Sequence, residues 1–226
     1  MDATTAMLAA VADALPDPTA LARHVLVGID GVDGSGKTTF ADELASVLAI
    51  RGERCIRISL DEFHAPRAVR HRRGRDSPEG FWLDSYDFAA FRERVLIPLG
   101  PSGTGRYRAA SHDLETDLVI DPPELDAGAP CTVIVDGLFL QRDEFRGVWD
   151  VVVFLDVEFA VSVGRMARRD GSDVDPAAAS NRRYVEGQRI YFRECDPQAS
   201  ADILIDHNDI ARPRVVRRPG DEEVQM

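Results

Sequence analysis

Long apolar runs are absent from this chain. No stretch approaches the roughly 18 residues that would cross a bilayer as a helix, so no membrane-spanning segment is expected. Met1 to Leu15 hold neither Lys nor Arg and no long hydrophobic run, which argues against a secretory signal and for a cytoplasmic protein. That stretch reads instead as a short alanine-rich helix ending near Pro16. Cysteine is scarce: Cys55, Cys131 and Cys195 are odd in number and lack metal-ligand spacing, which fits a reducing compartment and buried or half-buried thiols. Positive charge is in deficit, with 27 Lys and Arg against 39 Asp and Glu and a net charge of −12. Such a surface repels a phosphate backbone, so nucleic acid is not an expected partner and a small anionic ligand is. Internal repeats are also missing.

What is present supports one domain over 1–226, since 226 residues with 44% hydrophobic content can build a single well-filled core. Apolar runs at Val25–Ile29, Cys55–Leu60, Cys131–Val135, Val151–Leu155 and Asp202–Ile205 read as buried strands. Helical patterns fall at Thr38–Ile50, Tyr86–Leu96, Glu158–Arg169 and Asn181–Glu194. The alternation predicts an α/β three-layer sandwich, a mainly parallel five-stranded sheet with helices on both faces. Pro66–Gly80 and Pro98–Pro130 are broken by Gly and Pro, and the tail from Arg212 to Met226 is expected to be frayed.

Gly31 to Thr38, GVDGSGKT, fits the phosphate-binding loop G-x-x-x-x-G-K-[ST] at every fixed position. It lies between a predicted strand and a predicted helix, the setting that motif requires. Gly31, Gly34 and Gly36 allow the backbone to turn successive N–H groups inward around a phosphate. Lys37 can reach the β- and γ-phosphates, the Thr38 hydroxyl can ligate Mg²⁺, and the following helix points its positive end at the anion. Gly31, Val32, Asp33, Gly34, Ser35, Gly36, Lys37, Thr38 and Thr39 are therefore the candidate nucleotide-binding set for ATP or GTP.

Ligands in such folds sit beyond the carboxyl ends of the strands, and polar residues fall there. Asp136, after Val133–Val135, is a candidate partner for Mg²⁺, or alternatively opens a turn. Asp61, after the second strand, could accept the proton of an alcohol receiving a phosphoryl group, or serve only as a helix cap. Arg165, Arg168 and Arg169 end a helical stretch before Asp170-Gly171, where read alone they complement the negative end of that helix. The basic run Arg67, Arg70, His71, Arg72, Arg73 and Arg75 reads as a solvated loop, with a phosphorylated substrate as the alternative.

With these motifs in order, the chain resembles the uridine/cytidine kinases and their phosphoribulokinase-like relatives among the P-loop kinases. The resemblance rests on the loop, LDEFH (Leu60–His64), Asp76-Ser77-Pro78, YRAASHD (Tyr107–Asp113), VDG (Val135–Gly137) and RMARRD (Arg165–Asp170). It implies that Asp61 is the catalytic base, that Lys37 and Arg169 assist transfer, and that Asp76 holds ribose hydroxyls. It also implies that Tyr107 and His112 line a nucleoside-base pocket, that Arg165 faces the substrate, and that Thr38 and Asp136 place Mg²⁺. A substrate segment is implied at about 62–130 and a lid at about 165–183. Met166 departs from the resemblance, standing where pyrimidine nucleoside kinases tend to have arginine.

The expected activity is ATP/Mg²⁺-dependent transfer of a γ-phosphate to a small-molecule alcohol, the 5′-hydroxyl of uridine or cytidine first. The alternatives are a kinase of the same architecture for pantothenate, a sugar, glycerate or a phosphorylated pentose, and a nucleotide-sensing regulator. Asp33–Thr39 also suggests thymidylate kinase, but that family's Asp-Arg-aromatic segment is not found. Homo-oligomerisation is left open.

Overall fold

The computed structural model describes residues 3–218; residues 1–2 and 219–226, the outer parts of the expected N-terminal helix and C-terminal tail, lie outside the described residues. Strands β1 (Val25–Gly31), β2 (Cys55–Ser59), β3 (Thr132–Asp136), β4 (Val151–Asp156) and β5 (Ile203–Asp206) are parallel. A sixth, β6 (Arg214–Arg217), pairs antiparallel with β5 and gives the order β6-β5-β4-β1-β3-β2. The expectation of five strands is corrected by β6, which sequence reading assigned to a frayed tail. Four residues, Arg-Val-Val-Arg, with one face open to solvent at the sheet edge give little apolar signal, and Arg214 secures the strand on Asp206 at 2.6 Å.

Five helices matter for the site: α1 (Ala3–Asp13), α2 (Lys37–Ile50), α3 (Pro78–Asp84), α4 (Phe159–Asp170) and α5 (Arg182–Cys195). None among the described residues is long and apolar enough to cross a membrane. Period-two alternation in β1 splits the core. Val25, Val27 and Ile29 pack with Met7, Val11, Phe40, Leu44 and Leu48 of α1 and α2. Leu26 turns the other way, into a cluster with Ile58, Phe63, Phe81 and Tyr191. Burial on both faces explains why β1 and β3 read as unbroken apolar runs. Asp30 follows Leu26 by four and so falls on the second face.

The stretch from Pro66 to Gly80 is less irregular than its Gly and Pro suggest. Ser77 accepts a hydrogen bond from the Gly80 amide at 3.0 Å and Pro78 opens α3, a helix start written in Ser-Pro. Between 106 and 126 the chain makes two small hairpins, Arg106–Tyr107 with Leu125–Asp126 and His112–Asp113 with Leu118–Val119. The helix expected at Tyr86–Leu96 begins at Phe88, capped by Asp87, and passes through a π-turn at Arg92–Leu96.

Helices α3 and α5 are in close contact at Gly187. A Cβ added there would lie 2.7 Å from Phe81 Cδ1 and 2.9 Å from the Pro78 carbonyl oxygen. Gly187→Ala is expected to lower the stability of the fold by about 1–3 kcal/mol through overpacking, read as a fall in the urea midpoint; an unchanged midpoint contradicts this contact.

Candidate active site

The segment that follows β1 turns through Gly34 (φ 70°) and Gly36 (φ 94°) into α2. A Cβ at Gly34 would stand 2.6 Å from the Ser162 carbonyl oxygen of α4, so only glycine allows the loop to lie this close. The loop carbonyls are drawn outward. Lys37 Nζ donates to Gly31 O (3.1 Å) and Val32 O (2.8 Å), His207 Nδ1 donates to Ser35 O (2.8 Å), and Arg165 reaches Gly34 O and Ser35 O at 3.5 and 3.4 Å. Three amides are also taken: Gly31 N–H by Asp30 (2.8 Å), Asp33 N–H by Gln188 Oε1 (2.6 Å) and Ser35 N–H by Val32 O (3.1 Å). The amides of Gly34, Gly36, Lys37, Thr38 and Thr39 meet no acceptor among the described residues, and all five residues line one cleft of about 280 Å³. Converging free N–H groups at a helix N-terminus form an anion site. Lys37, the only lysine in the chain, lines the same cleft.

Asp136 ends β3 and is 2% exposed. Its Oδ2 accepts from the Thr38 hydroxyl at 2.7 Å and its Oδ1 from Arg57 Nη2 at 2.9 Å. Arg57, on the edge strand β2, also donates to Ile134 O (3.1 Å) and Asp42 (3.0 Å), so this buried carboxylate has a fixed counter-charge. A hydroxyl and a carboxylate in contact are hard oxygen donors suited to Mg²⁺, which completes its shell with water and phosphate oxygens.

Asp61 lies in the 3-10 turn Leu60–Phe63 that β2 runs into. Tyr86 donates to Asp61 Oδ1 at 3.0 Å, Asp61 Oδ2 takes no hydrogen bond among the described residues, and Asp61 lines the same cleft. The Tyr86 ring lies 4.6 Å from that of His64, whose Nδ1 donates to Asp61 O at 2.7 Å. Burial, aided by the charges of Asp61 and Asp33, holds the Tyr86 phenol well above its usual range, and burial pulls His64 down. Backbone bonds from Asp87 N–H to Phe63 O (2.7 Å) and Ala65 N–H to Ser85 O (3.0 Å) clamp the Ser85–Asp87 segment against this turn. Asp33, in the loop, also lines the cleft, and burial raises its carboxyl against the pull of Lys37.

The sequence-selected residues divide into two groups. Asp33, Gly34, Gly36, Lys37, Thr38, Thr39, Asp61, Asp136, Arg165, Met166 and Arg169 share the cleft. Gly31, Val32 and Ser35 are buried behind it as the loop's support. Arg165 is committed to backbone, with Nη2 on His207 O (2.7 Å) and Asn208 O (2.9 Å), so it braces the loop from α4. Arg169 is exposed and held only by its neighbour Asp170 at 3.1 Å. Between α4 and α5, residues 171–181 form no helix or strand, whereas 165–170 and 182–183 are helical.

Three expected substrate contacts stand outside the cleft. Asp76 is exposed in the turn before α3. Tyr107, 8% exposed, packs in the same apolar cluster as Cys131, which precedes β3 and so lies at the end of the sheet opposite the phosphate loop. His112 is buried with Nε2 3.2 Å from Asp117 Oδ1, and its neighbour Ser111 donates to Glu62 O at 3.0 Å, which sets it beside the Asp61 turn. The basic run is largely consumed: Arg72 and Arg73 pair with buried Asp84, and Arg70 donates to Ala65 O at 2.8 Å. Sequence reading missed Arg57, Tyr86, Asp87, Arg183, Gln188 and Tyr191, which act across the fold and carry no local motif. Asp30 did carry a signal, a charge closing a wholly buried strand.

Comparison with known proteins places the chain in a family. Residues 26–186 match the Phosphoribulokinase / Uridine kinase family. A uridine kinase of Brevibacillus brevis is 26% identical over 195 residues, 80% of this chain and 84% of that protein. The structure described as a possible uridine kinase from Bacillus stearothermophilus superposes with a TM-score of 0.69 at 22% identity, covering 89% of this chain and 96% of that one. Phosphoribulokinase from Rhodobacter spheroides gives 0.59 at 18% identity, covering 81% and 70%. These likenesses show the P-loop kinase fold, and with a family match over most of its length the chain belongs to the Phosphoribulokinase / Uridine kinase family of phosphotransferases.

Proposed function

We propose that this kinase transfers the γ-phosphate of ATP, with Mg²⁺, to the 5′-hydroxyl of uridine or cytidine. The observation that carries the reading is one cleft holding the free amides of the loop, Lys37, the Thr38–Asp136 pair and, facing them, the tethered carboxylate of Asp61. The loop amides and Lys37 would hold the triphosphate, and Thr38 and Asp136 would hold Mg²⁺, which would supply neutralisation of the charge on the transferred phosphoryl group. Asp61 orients the acceptor hydroxyl and takes its proton as the new O–P bond forms. The bond from phosphorus to the bridging oxygen breaks, and ADP leaves. Tyr86 occupies one oxygen of Asp61 and so fixes which oxygen receives that proton. Arg169, exposed at the end of α4, can swing onto the developing charge of the transferred group.

The placement of Tyr107 in the core, and of Met166 in the cleft, favours a second reading in which a different small alcohol is the acceptor. A phosphorylated acceptor is the least supported of these, because Arg70, Arg72 and Arg73 are already bonded within the fold. A nucleotide-sensing regulator has no use for Asp61 facing the phosphate loop.

A screen of alcohols with ATP and Mg²⁺, followed by ADP release, tests the acceptor: turnover with uridine or cytidine is expected, and turnover with another alcohol alone transfers the assignment to that compound. Asp61→Asn is expected to lower kcat by about 10²- to 10⁴-fold while ATP still binds; an active variant removes Asp61 from the base role. Asp136→Ala is expected to raise the Mg²⁺ concentration for half-maximal turnover by about tenfold or more, and an unchanged requirement would place the metal elsewhere.

A further inference from the structure

The phosphate loop is also gripped from outside, by α5. We infer that Gln188 and Tyr191 are positioning residues that hold the loop in its anion-receiving shape, so that the helix following the lid segment sets the affinity for the triphosphate. The inference rests on the nucleotide-binding reading above and adds to it a control point distant from the phosphates.

Gln188 is 3% exposed and accepts the Asp33 amide through Oε1 at 2.6 Å. Its Nε2 donates to Tyr184 O one turn back at 3.0 Å, which fixes which end of the side-chain amide faces the loop. Three residues on, and therefore on the same helical face, Tyr191 is 2% exposed and donates to Asp30 Oδ2. Asp30 is wholly buried, accepts the Gly31 amide through Oδ1 at 2.8 Å and takes a third donor, Gln141 Nε2, at 3.2 Å. Gln141 N–H donates in turn to the Tyr191 hydroxyl at 3.1 Å. The two amides that α5 governs, of Asp33 directly through Gln188 and of Gly31 indirectly through Asp30, are thereby spent within the protein. The amides of Gly34, Gly36, Lys37, Thr38 and Thr39, which meet no acceptor among the described residues, remain for the cleft.

The helix that does this is itself anchored to the rest of the site. Arg183 donates to Arg70 O at 3.1 Å and Arg75 O at 3.0 Å, in the segment between Asp61 and α3. Asn181, at the start of α5, donates from Nδ2 to Asp173 O and Asp175 O in the lid segment, both at 2.9 Å. Gly187 lets α5 lie directly on α3. One helix thus contacts the acceptor flank, the lid segment and the donor loop, and a displacement of any one is felt at the loop amides.

The sole lysine gives a direct readout. An amine-directed acylating reagent modifies Lys37 and the chain's amino terminus, on separate peptides, and MgATP bound in the loop shields Lys37. The MgATP concentration giving half-protection is measured by peptide mass spectrometry on the full-length protein, below each variant's melting midpoint. Gln188→Leu and Tyr191→Phe are each expected to raise it by about tenfold, the effect of losing roughly one hydrogen bond. Arg189→Ala, on the exposed face of α5, is expected to leave it unchanged. Tyr191→Phe keeps the ring packed 5.2 Å from that of Phe139, so it supplies the folded test even where Gln188→Leu does not fold. A melting midpoint that falls while half-protection stays at the wild-type concentration means a merely structural role and overturns the inference alone. Wild-type protein whose Lys37 is not shielded by MgATP overturns the nucleotide reading, and this inference with it.

Discussion

A loop that gathers amide groups around one point must send its carbonyl oxygens and its remaining amides somewhere else. That requirement organises the molecule. Residues Gly31 to Thr38 cannot satisfy it alone, because a backbone that turns its donors inward turns its acceptors toward the protein interior, where an unpaired group is costly. The partners come from four separate elements: Lys37 from the loop's own helix, Arg165 from α4, His207 from the end of β5, and Gln188 from α5. The sheet topology follows the same need. β1 sits centrally between β3 and β4, so the loop leaves the sheet where Asp136, Arg165 and His207 can all reach it or its helix.

The distribution of cations fits this division. Lysine occurs once, where a compact point charge is wanted beside phosphate, and the other cations are arginines. A guanidinium presents several fixed donors in one plane, so a single arginine can bridge several carbonyls. Arg183 does so between Arg70 and Arg75, Arg94 between Ala110 and Ile120, and Arg217 among Gln198, Ala199 and Ala201. In segments with little regular structure these bridges replace the missing ladders. The basic content of the sequence is thus in good part internal reinforcement, and within the run from Arg67 to Arg75 the side chains of Arg70, Arg72 and Arg73 are bonded in this way.

The donor half of the site was legible because it is local. Strand, loop and helix are contiguous, each required residue type has its own chemical reason, and Asp136 and Asp61 each follow a strand in an order the parallel sheet dictates. Tyr86 could not be read in the same way. Its bond to Asp61 spans 25 residues and depends on how the Ser85–Asp87 segment folds back on the turn. The packing of Tyr107 was hidden for a related reason: it joins the apolar cluster that also holds Cys131, a neighbour 24 residues further along the chain. The Ser-Pro after Asp76 carries a capping signal that opens α3. β6 escaped notice because one alternately covered edge strand of four residues has almost no period to detect.

These two halves differ in what holds them. The loop is framed by five parallel strands and three helices, so its geometry is fixed by many cooperating contacts. The segment between Asp61 and β3 is built from turns, two-residue strands and long-range polar ties such as Asp117, which receives the Arg67 amide at 2.8 Å and faces His112. Exchanging one such tie can rearrange this segment while leaving Asp61, the loop and Asp136 where they are. A family built this way can keep one phosphoryl-transfer apparatus and vary the segment beside it, so eight contiguous residues suffice to read a phosphate loop, whereas the rest of the candidate site depends on side chains that meet only in the folded chain.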